Sequence, residues 1–320
     1  MATPAESRPR GTFQASVLSN RQICLDHYLL VLEAAGFPPS RPGQFVNVRC
    51  GAGGPVPGAV EADWPAGAMP NLSGDELLSR RPLLRRPFSL AGRRDRDGGA
   101  AELDVIHHVV GAGTSWMAGL SAGDAVGLTG PLGNGFTILP DRPAAALVGG
   151  GVGMPPLLYL AEALGAAGKE VVAFAAARTA RLLPLSIDPA EAPSRSGRPT
   201  MCIREFAARG AASVVATDDG SLGVAALAHE AFAAYLDHRG NDGDLAVYAC
   251  GPEPMLKAVA EICQRRQMPC QLALERHMAC GMGTCQGCVV KVRDGSSPGW
   301  RYKLACTDGP VFEAAELVWE

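Results

Sequence analysis

Apolar and polar side chains alternate in short runs along the N-terminal part of the chain. Thr12-Phe13-Gln14-Ala15-Ser16-Val17, Tyr28-Leu29-Leu30-Val31-Leu32-Glu33 and Gly43-Gln44-Phe45-Val46-Asn47-Val48 each carry the period of two that predicts a strand. Residues 103–110 and 123–128 repeat it, and Gly/Pro turn signals separate the runs. Many short strands with such turns predict a small antiparallel β-barrel over residues 11–142. Residues 51–81 interrupt the pattern with Gly, Pro and Ala around Asp63-Trp64-Pro65. This stretch reads as a long exposed insertion between barrel strands, either disordered or in contact with a partner protein.

From Ala144 the pattern changes to strand and helix in alternation. Ala145-Ala146-Leu147-Val148 runs into Gly149-Gly150-Gly151-Val152-Gly153 and then an Ala/Leu helix to about Ala167. Val171-Val172-Ala173-Phe174, Ser213-Val214-Val215-Ala216 and Leu245-Ala246-Val247-Tyr248 follow as further strands. The order predicts a Rossmann-like, doubly wound parallel sheet over 143–267, with a Pro/Ser-rich connection near 184–199. A third, cysteine-bearing module is expected over 268–320.

The composition sets limits on function. A chain of 320 residues, 47% hydrophobic and 19% charged, suits two or three globular domains. A net charge of -3 leaves no basic stripe for nucleic acid. No apolar run approaches the roughly 20 residues that span a bilayer, and the Pro/Ser/Arg-rich start lacks the apolar centre of a signal peptide. The cytoplasm is therefore the expected compartment, with no membrane partner.

Ten cysteines are present, and four of them, Cys280, Cys285, Cys288 and Cys306, follow C-x4-C-x2-C-x17-C. Thiolates so spaced can wrap a two-iron, two-sulfur cluster, and the glycines of Cys280-Gly281-Met282-Gly283-Thr284-Cys285-Gln286-Gly287-Cys288 let the backbone fold around it. A four-cysteine zinc site is the alternative, although such sites usually pair two short knuckles and here the last cysteine stands alone. Cys24, Cys50, Cys202, Cys250, Cys263 and Cys270 show no framework spacing and read as reduced thiols.

Two glycine-bearing turns lie at strand ends. The Gly149–Gly153 turn offers bare amides and a helix dipole to a pyrophosphate, but tight strand-to-helix packing selects glycine as well. Cys250-Gly251-Pro252 lies at the same sheet edge, where its thiol can pack against a nicotinamide or the segment can simply open a helix. In the barrel, Arg85-Arg86-Pro87-Phe88-Ser89-Leu90 combines an arginine for a diphosphate with a hydroxyl for a flavin edge. Arg178 and Arg181 follow the second sheet strand, either to read a ribose 2'-phosphate or as solvated charges.

The succession R-P-F-S (86–89), G-A-G-T (111–114), G-P-L-G-N-G-F (130–136), G-G-G-V-G-M-P-P-L (149–157), T-D-D-G-S-L-G (217–223), C-G-P-E-P-M-L (250–256) and C-G-M-G-T-C-Q-G-C (280–288) resembles a known family. It is that of the electron-transfer subunits of NAD-dependent dihydroorotate dehydrogenase B, within the ferredoxin-reductase superfamily. Glu275-Arg276-His277-Met278-Ala279 before the cysteines and Asp308-Gly309-Pro310-Val311-Phe312 after them narrow the likeness.

The resemblance implies FAD on Arg86, Pro87, Phe88 and Ser89, with Ile106, His107, His108, Gly113 and Thr114 along its ribityl and phosphate portion. It implies NAD on Gly149, Gly150, Gly151, Val152 and Gly153 with Cys250, Gly251 and Pro252, and Thr217 to Gly220 beside the same cleft. Cys280, Cys285, Cys288 and Cys306 are implied cluster ligands. His107 and His108 stand where the family often has other residues; on a strand they face opposite sides, which suits a surface or hydrogen-bonding role better than catalysis. The implied function passes electrons from a separate FMN-containing catalytic subunit, in a heterotetramer of two plus two, through the [2Fe-2S] cluster and FAD to NAD+. This belongs to de novo pyrimidine (UMP) biosynthesis and needs no general acid or base from this chain. Two alternatives stand beside it: an NAD(P)H-dependent reductase feeding an oxygenase, ferredoxin or other acceptor, and a regulatory or scaffold subunit with structural zinc. The stretches at 51–81 and 184–199 are longer than the family leads one to expect.

Overall fold

The N-terminal alternation closes on itself. The computed structural model describes residues 10–51 and 84–319, so the expected insertion at 51–81 lies, apart from Gly51, outside the described residues. Among these, six strands form a closed antiparallel barrel: β1 (Gly11–Cys24), β2 (His27–Ala35), β3 (Phe45–Arg49), β4 (Arg86–Asp95), β5 (Ala100–His108) and β6 (Ala125–Leu132), ordered β1-β2-β5-β4-β3-β6. Helix α1 (Ala112–Ala118) sits between β5 and β6. Inward positions such as Val17, Leu30, Leu32, Val46, Val48, Leu103, Val105 and Leu128 fill the barrel as one apolar cluster. Strand β4 carries no clean alternation because its first four residues face a cavity and are half-buried.

The second half winds a parallel sheet. Its elements are β7 (Ala144–Gly150), α2 (Met154–Ala166), β8 (Glu170–Ala177), α3 (Arg204–Ala207), β9 (Ala212–Thr217), β10 (Val224–Ala225), α4 (Ala228–Arg239), β11 (Leu245–Cys250) and α5 (Glu253–Arg265). Then come β12 (Cys270–Ala273), β13 (Val289–Arg293), β14 (Trp300–Leu304) and β15 (Val311–Glu313). The sheet runs β10-β9-β8-β7-β11-β12-β15. All pairings are parallel except β12 with β15. Side chains of α2 pack on one face and those of α4 and α5 on the other, so both faces are covered and the strands read as continuous apolar runs.

The sheet continues past the boundary expected at 267. Cys270–Ala273 pairs with β11 in parallel, and Val311–Glu313 returns to pair with β12. The cysteine segment is therefore strung between two strands of the sheet, with β13 and β14 as its own hairpin. A four-residue strand is too short to announce itself by periodicity beside a prominent cysteine pattern.

Polar brackets join barrel and sheet. Asn134 Nδ2 donates to the carbonyls of Asp308 (3.0 Å) and Val311 (2.8 Å), and its Oδ1 accepts from the Val311 amide at 2.9 Å. Tyr159 donates to the Ser40 carbonyl at 2.9 Å, and the Thr137 amide donates to Gln271 Oε1 at 2.9 Å. Within 184–199, Ile187 makes an isolated bridge to Ile203. Among the described residues no helix is long and apolar enough to cross a membrane.

Candidate functional site

A cavity of about 890 Å³ opens on the barrel. Arg86, Pro87, Phe88 and Ser89 reach it from β4, Ile106, His107 and His108 from β5, and Gly113 and Thr114 from the start of α1. All nine residues expected around FAD thus share one cavity. Thr114 shapes the entrance loop, because its Oγ1 accepts from the amides of Val110 (2.9 Å) and Gly111 (3.2 Å) and donates to the Gly111 carbonyl (3.1 Å).

His107 departs from its expected surface or hydrogen-bonding role. It is 1% exposed, and neither ring nitrogen has a partner. Its ring stacks on Tyr28 with centroids 5.6 Å apart and tilts against Phe88. Burial, then the neighbouring His27 and His108, pushes its pKa down to about 4, so it is a neutral imidazole. A buried polar ring without partners on a cavity wall suits a polar guest that the protein itself does not supply.

A second cavity of about 430 Å³ lies along the C-terminal edge of the sheet, where open α/β sheets bind ligands. Gly150, Gly151, Val152, Gly251 and Pro252 line it together with Arg178, Asp218, His229 and Glu275. Arg181, Thr217, Asp219 and Gly220 are not among its lining residues. Gly149 lines neither cavity; a Cβ there would stand 2.8 Å from Leu157 and Met154, so this glycine serves helix packing. At Gly153 a Cβ would fall 2.0 Å from the Cys250 carbonyl oxygen, because the two turns meet backbone to backbone. Burial, helped by Glu275, pushes the Cys250 thiol up to about 12 and keeps it neutral.

His27 belongs to this wall, though no local feature of the sequence marked it. The β2–β5 register sets it opposite His108, and the two rings stack with centroids 4.3 Å apart and planes 1° from parallel. Its Nδ1 lies 2.7 Å from the Leu25 carbonyl, which can only accept, so Nδ1 carries the proton. Four residues, His108, Val152, Gly251 and Glu275, line both cavities and mark where they meet.

The cysteine loop borders the larger cavity through Met278, Ala279 and Gly287. Amides of Met282 and Cys285 point at Cys280 Sγ, each at 3.4 Å, and these bonds, that of Cys285 foremost, push its thiol down to about 6. Cys288 and Cys306 are buried at 2% exposure each, on either side of the β13–β14 hairpin. Burial and the adjoining Cys288 push Cys306 up to about 12. Cys285 is exposed. Side-chain contacts thus group the thiols as Cys280 with Cys285 and Cys288 with Cys306. Among the described residues no three His, Cys, Asp or Glu side chains converge on a single ion's position. Two pairs of thiols around a glycine loop, with amides aimed at sulfur, fit a two-iron cluster.

Comparison with known proteins adds independent findings. Residues 275–318 match the iron-sulfur cluster binding domain of dihydroorotate dehydrogenase B. The chain is 33% identical over 309 residues to the electron transfer subunit of dihydroorotate dehydrogenase B (NAD(+)) from Caldanaerobacter subterraneus, covering 97% of this chain and 99% of that one. It is 36% identical over 311 residues to the protein of that description from Bacillus caldolyticus, covering 96% and 99%. Among solved structures, the NADH-dependent reduced ferredoxin-NADP oxidoreductase studied for flavin-based electron bifurcation superposes with a TM-score of 0.68 at 25% identity, over 95% of this chain and 90% of that one. Phthalate dioxygenase reductase shares the fold with a TM-score of 0.52 at 17% identity, over 92% and 77%.

Proposed function

The chain belongs to the family of electron transfer subunits of NAD-dependent dihydroorotate dehydrogenase B, and on that premise we propose how its cavities and cysteine loop serve one path. Arg86, Pro87, Phe88, Ser89, Ile106, His107, His108, Gly113 and Thr114 would hold FAD in the larger cavity. Gly150, Gly151 and Val152, with Gly251 and Pro252, would hold NAD in the smaller one, while Gly153 and Cys250 set the contact between the two turns. Cys280, Cys285, Cys288 and Cys306 would carry the [2Fe-2S] cluster. When bound, the cluster would handle single electrons, and the flavin would gather two of them with a proton to supply a hydride to NAD+.

The protein's own contribution is positioning. Neutral His107 offers a hydrogen bond from a dry wall without adding charge. Cys250, held as a thiol, is a small packing surface and not a nucleophile. Arg178 offers a cation to nucleotide phosphate, and no side chain is required as acid or base. What supports the path is one junction: the larger cavity abuts the cysteine loop at Met278, Ala279 and Gly287 and shares His108, Val152, Gly251 and Glu275 with the smaller.

A catalytic subunit completes the enzyme, and we assign it FMN, dihydroorotate oxidation and an assembly of two plus two. It would deliver electrons at the exposed side of the loop, where Cys285 and Met282 face solvent. The cytoplasm, where thiols stay reduced, is the compartment we assign. The working division is a barrel over 11–142, a nucleotide sheet from 143 and a cluster segment from 275 that returns β15 to the sheet.

The decisive test mixes this chain with the dihydroorotate-oxidising subunit of its source organism and follows NAD+ reduction by dihydroorotate, with each protein alone as control. Activity in the mixture alone is expected. A loaded but inactive mixture that still oxidises NADH or NADPH with an artificial acceptor would instead favour a reductase feeding another acceptor. Arg178 in the cleft is the observation that keeps NADPH in that comparison.

A further inference from the structure

Strand β3 presents two kinds of side chain. Val46 and Val48 point into the barrel core, whereas Phe45 belongs to the apolar cluster that also takes in Cys288, Ala305, Cys306 and Phe312 of the cluster segment. Asn47 stands on the same outward face as Phe45 and is 1% exposed. Its Nδ2 donates to the carbonyl of Cys280 at 3.1 Å, across 233 positions of sequence. On its other side, Asn47 pairs in register with Pro87 of β4, inside the flavin motif.

The approach is as close as the chain allows. Gly281 has a φ of +69°, and a Cβ there would stand 2.1 Å from Asn47 Nδ2, so the loop needs glycine both for its turn and for this contact. Asn47 Oδ1 is buried and has no donor. An apolar side chain would remove that orphan but leave the Cys280 carbonyl without the donor it has here. The bond the Asn47 side chain does make ends on the peptide of a proposed cluster ligand.

We infer that Asn47 is a positioning residue for electron transfer: it locks the Cys280 peptide to the barrel strand that pairs with the flavin motif, and so fixes the cluster loop against the flavin cavity. This rests on the FAD and cluster assignment above. The bond also draws electron density from the Cys280 peptide, so its loss should make the cluster harder to reduce, as hydrogen bonding around a cluster tunes its potential. Geometry held at this precision matters to rate, since displacement by about 1 Å can cost a reaction about a hundredfold.

The test uses the FAD- and cluster-loaded chain without its partner, reduced by NADH in a stopped-flow instrument, with Asn47→Leu and Asn47→Asp. Leucine keeps the bulk and removes the donor at every pH; aspartate keeps the shape and removes it only when ionised, so its two changes should grow as pH rises. Iron, sulfide and flavin contents should match wild type, while cluster reduction slows by about tenfold or more and the cluster midpoint, followed by electron paramagnetic resonance, moves to a more negative value. Gly281→Ala approaches the same contact from the loop and should give the same two changes, so it carries the test if buried substitutions at Asn47 prevent folding. Wild-type rates and midpoints in the loaded variants would overturn the inference, as would loss of the cluster from all three, which would make the contact one of assembly. Failure of the underlying assignment looks different: wild type itself would then lack flavin or iron.

Discussion

A single ring shows how much the site depends on burial. His107 has its pKa pushed down to about 4 from the ordinary 6.5, chiefly by desolvation. Between those values the unfolded chain holds a proton that the folded chain refuses, so stability falls as pH drops from 6.5 towards 4 and the loss is complete below 4. The span corresponds to about 3 kcal/mol. Urea unfolding of the flavin-free protein at pH 7 and at about pH 4.5 should show a steeper loss for wild type than for His107→Phe; parallel losses would mean the ring takes its proton while folded. Local sequence showed only that His107 and His108 face opposite sides of a strand. It could not show that His27 would be set against His108, because that follows from strand register, and it gave Glu275 no role because its place on the shared wall depends on β12.

At the scale of elements, the two turns at the sheet edge behave as one unit. The glycine run Gly149–Gly153 was legible as a strand-to-helix turn, but its glycines do different work that only the packing reveals. Gly151, at a φ of +52° with open space around it, tolerates a methyl group for about 1 kcal/mol of backbone strain. Gly153 does not, since the atom 2.0 Å away is a carbonyl oxygen of the facing turn and neither backbone can step aside. We expect Gly153→Ala to cost about 3 kcal/mol of stability and to weaken NAD+ binding by about tenfold or more, whereas Gly151→Ala costs the fold only its backbone strain. Chemical denaturation and NAD+ titration of both variants check this; equal effects would mean the turns are not in contact. The cysteine loop was the most legible element, because spacing and glycines suffice to describe it. Strand β4 was the least, because a cavity replaces the core it would otherwise face.

For the whole molecule, connectivity decides what can be separated from what. The sequence presents the cysteine module as an appendage beginning near 268, yet its first and last strands complete the parallel sheet and its loop walls the larger cavity. Removing everything after Gln267 would strip β12 and β15 from the sheet. It would also delete buried Cys270, Leu272, Leu274, Val311, Phe312 and Leu317 from the cores. At about 2 kcal/mol for each large apolar side chain, that loss rivals the roughly 5–15 kcal/mol that holds a domain folded. It would also uncover one edge of β11, an apolar strand then paired only with β7 and prone to association. A chain ending at Gln267 should therefore aggregate or elute without flavin on gel filtration, even though the barrel's nine FAD-contact candidates are intact. A soluble, flavin-bound fragment would show that the cysteine segment is an independent module. The same connectivity gives the proposed electron path its rigidity: cysteine loop, larger cavity and smaller cavity share strands and walls, so distances between them are set by one folded core and not by a linker.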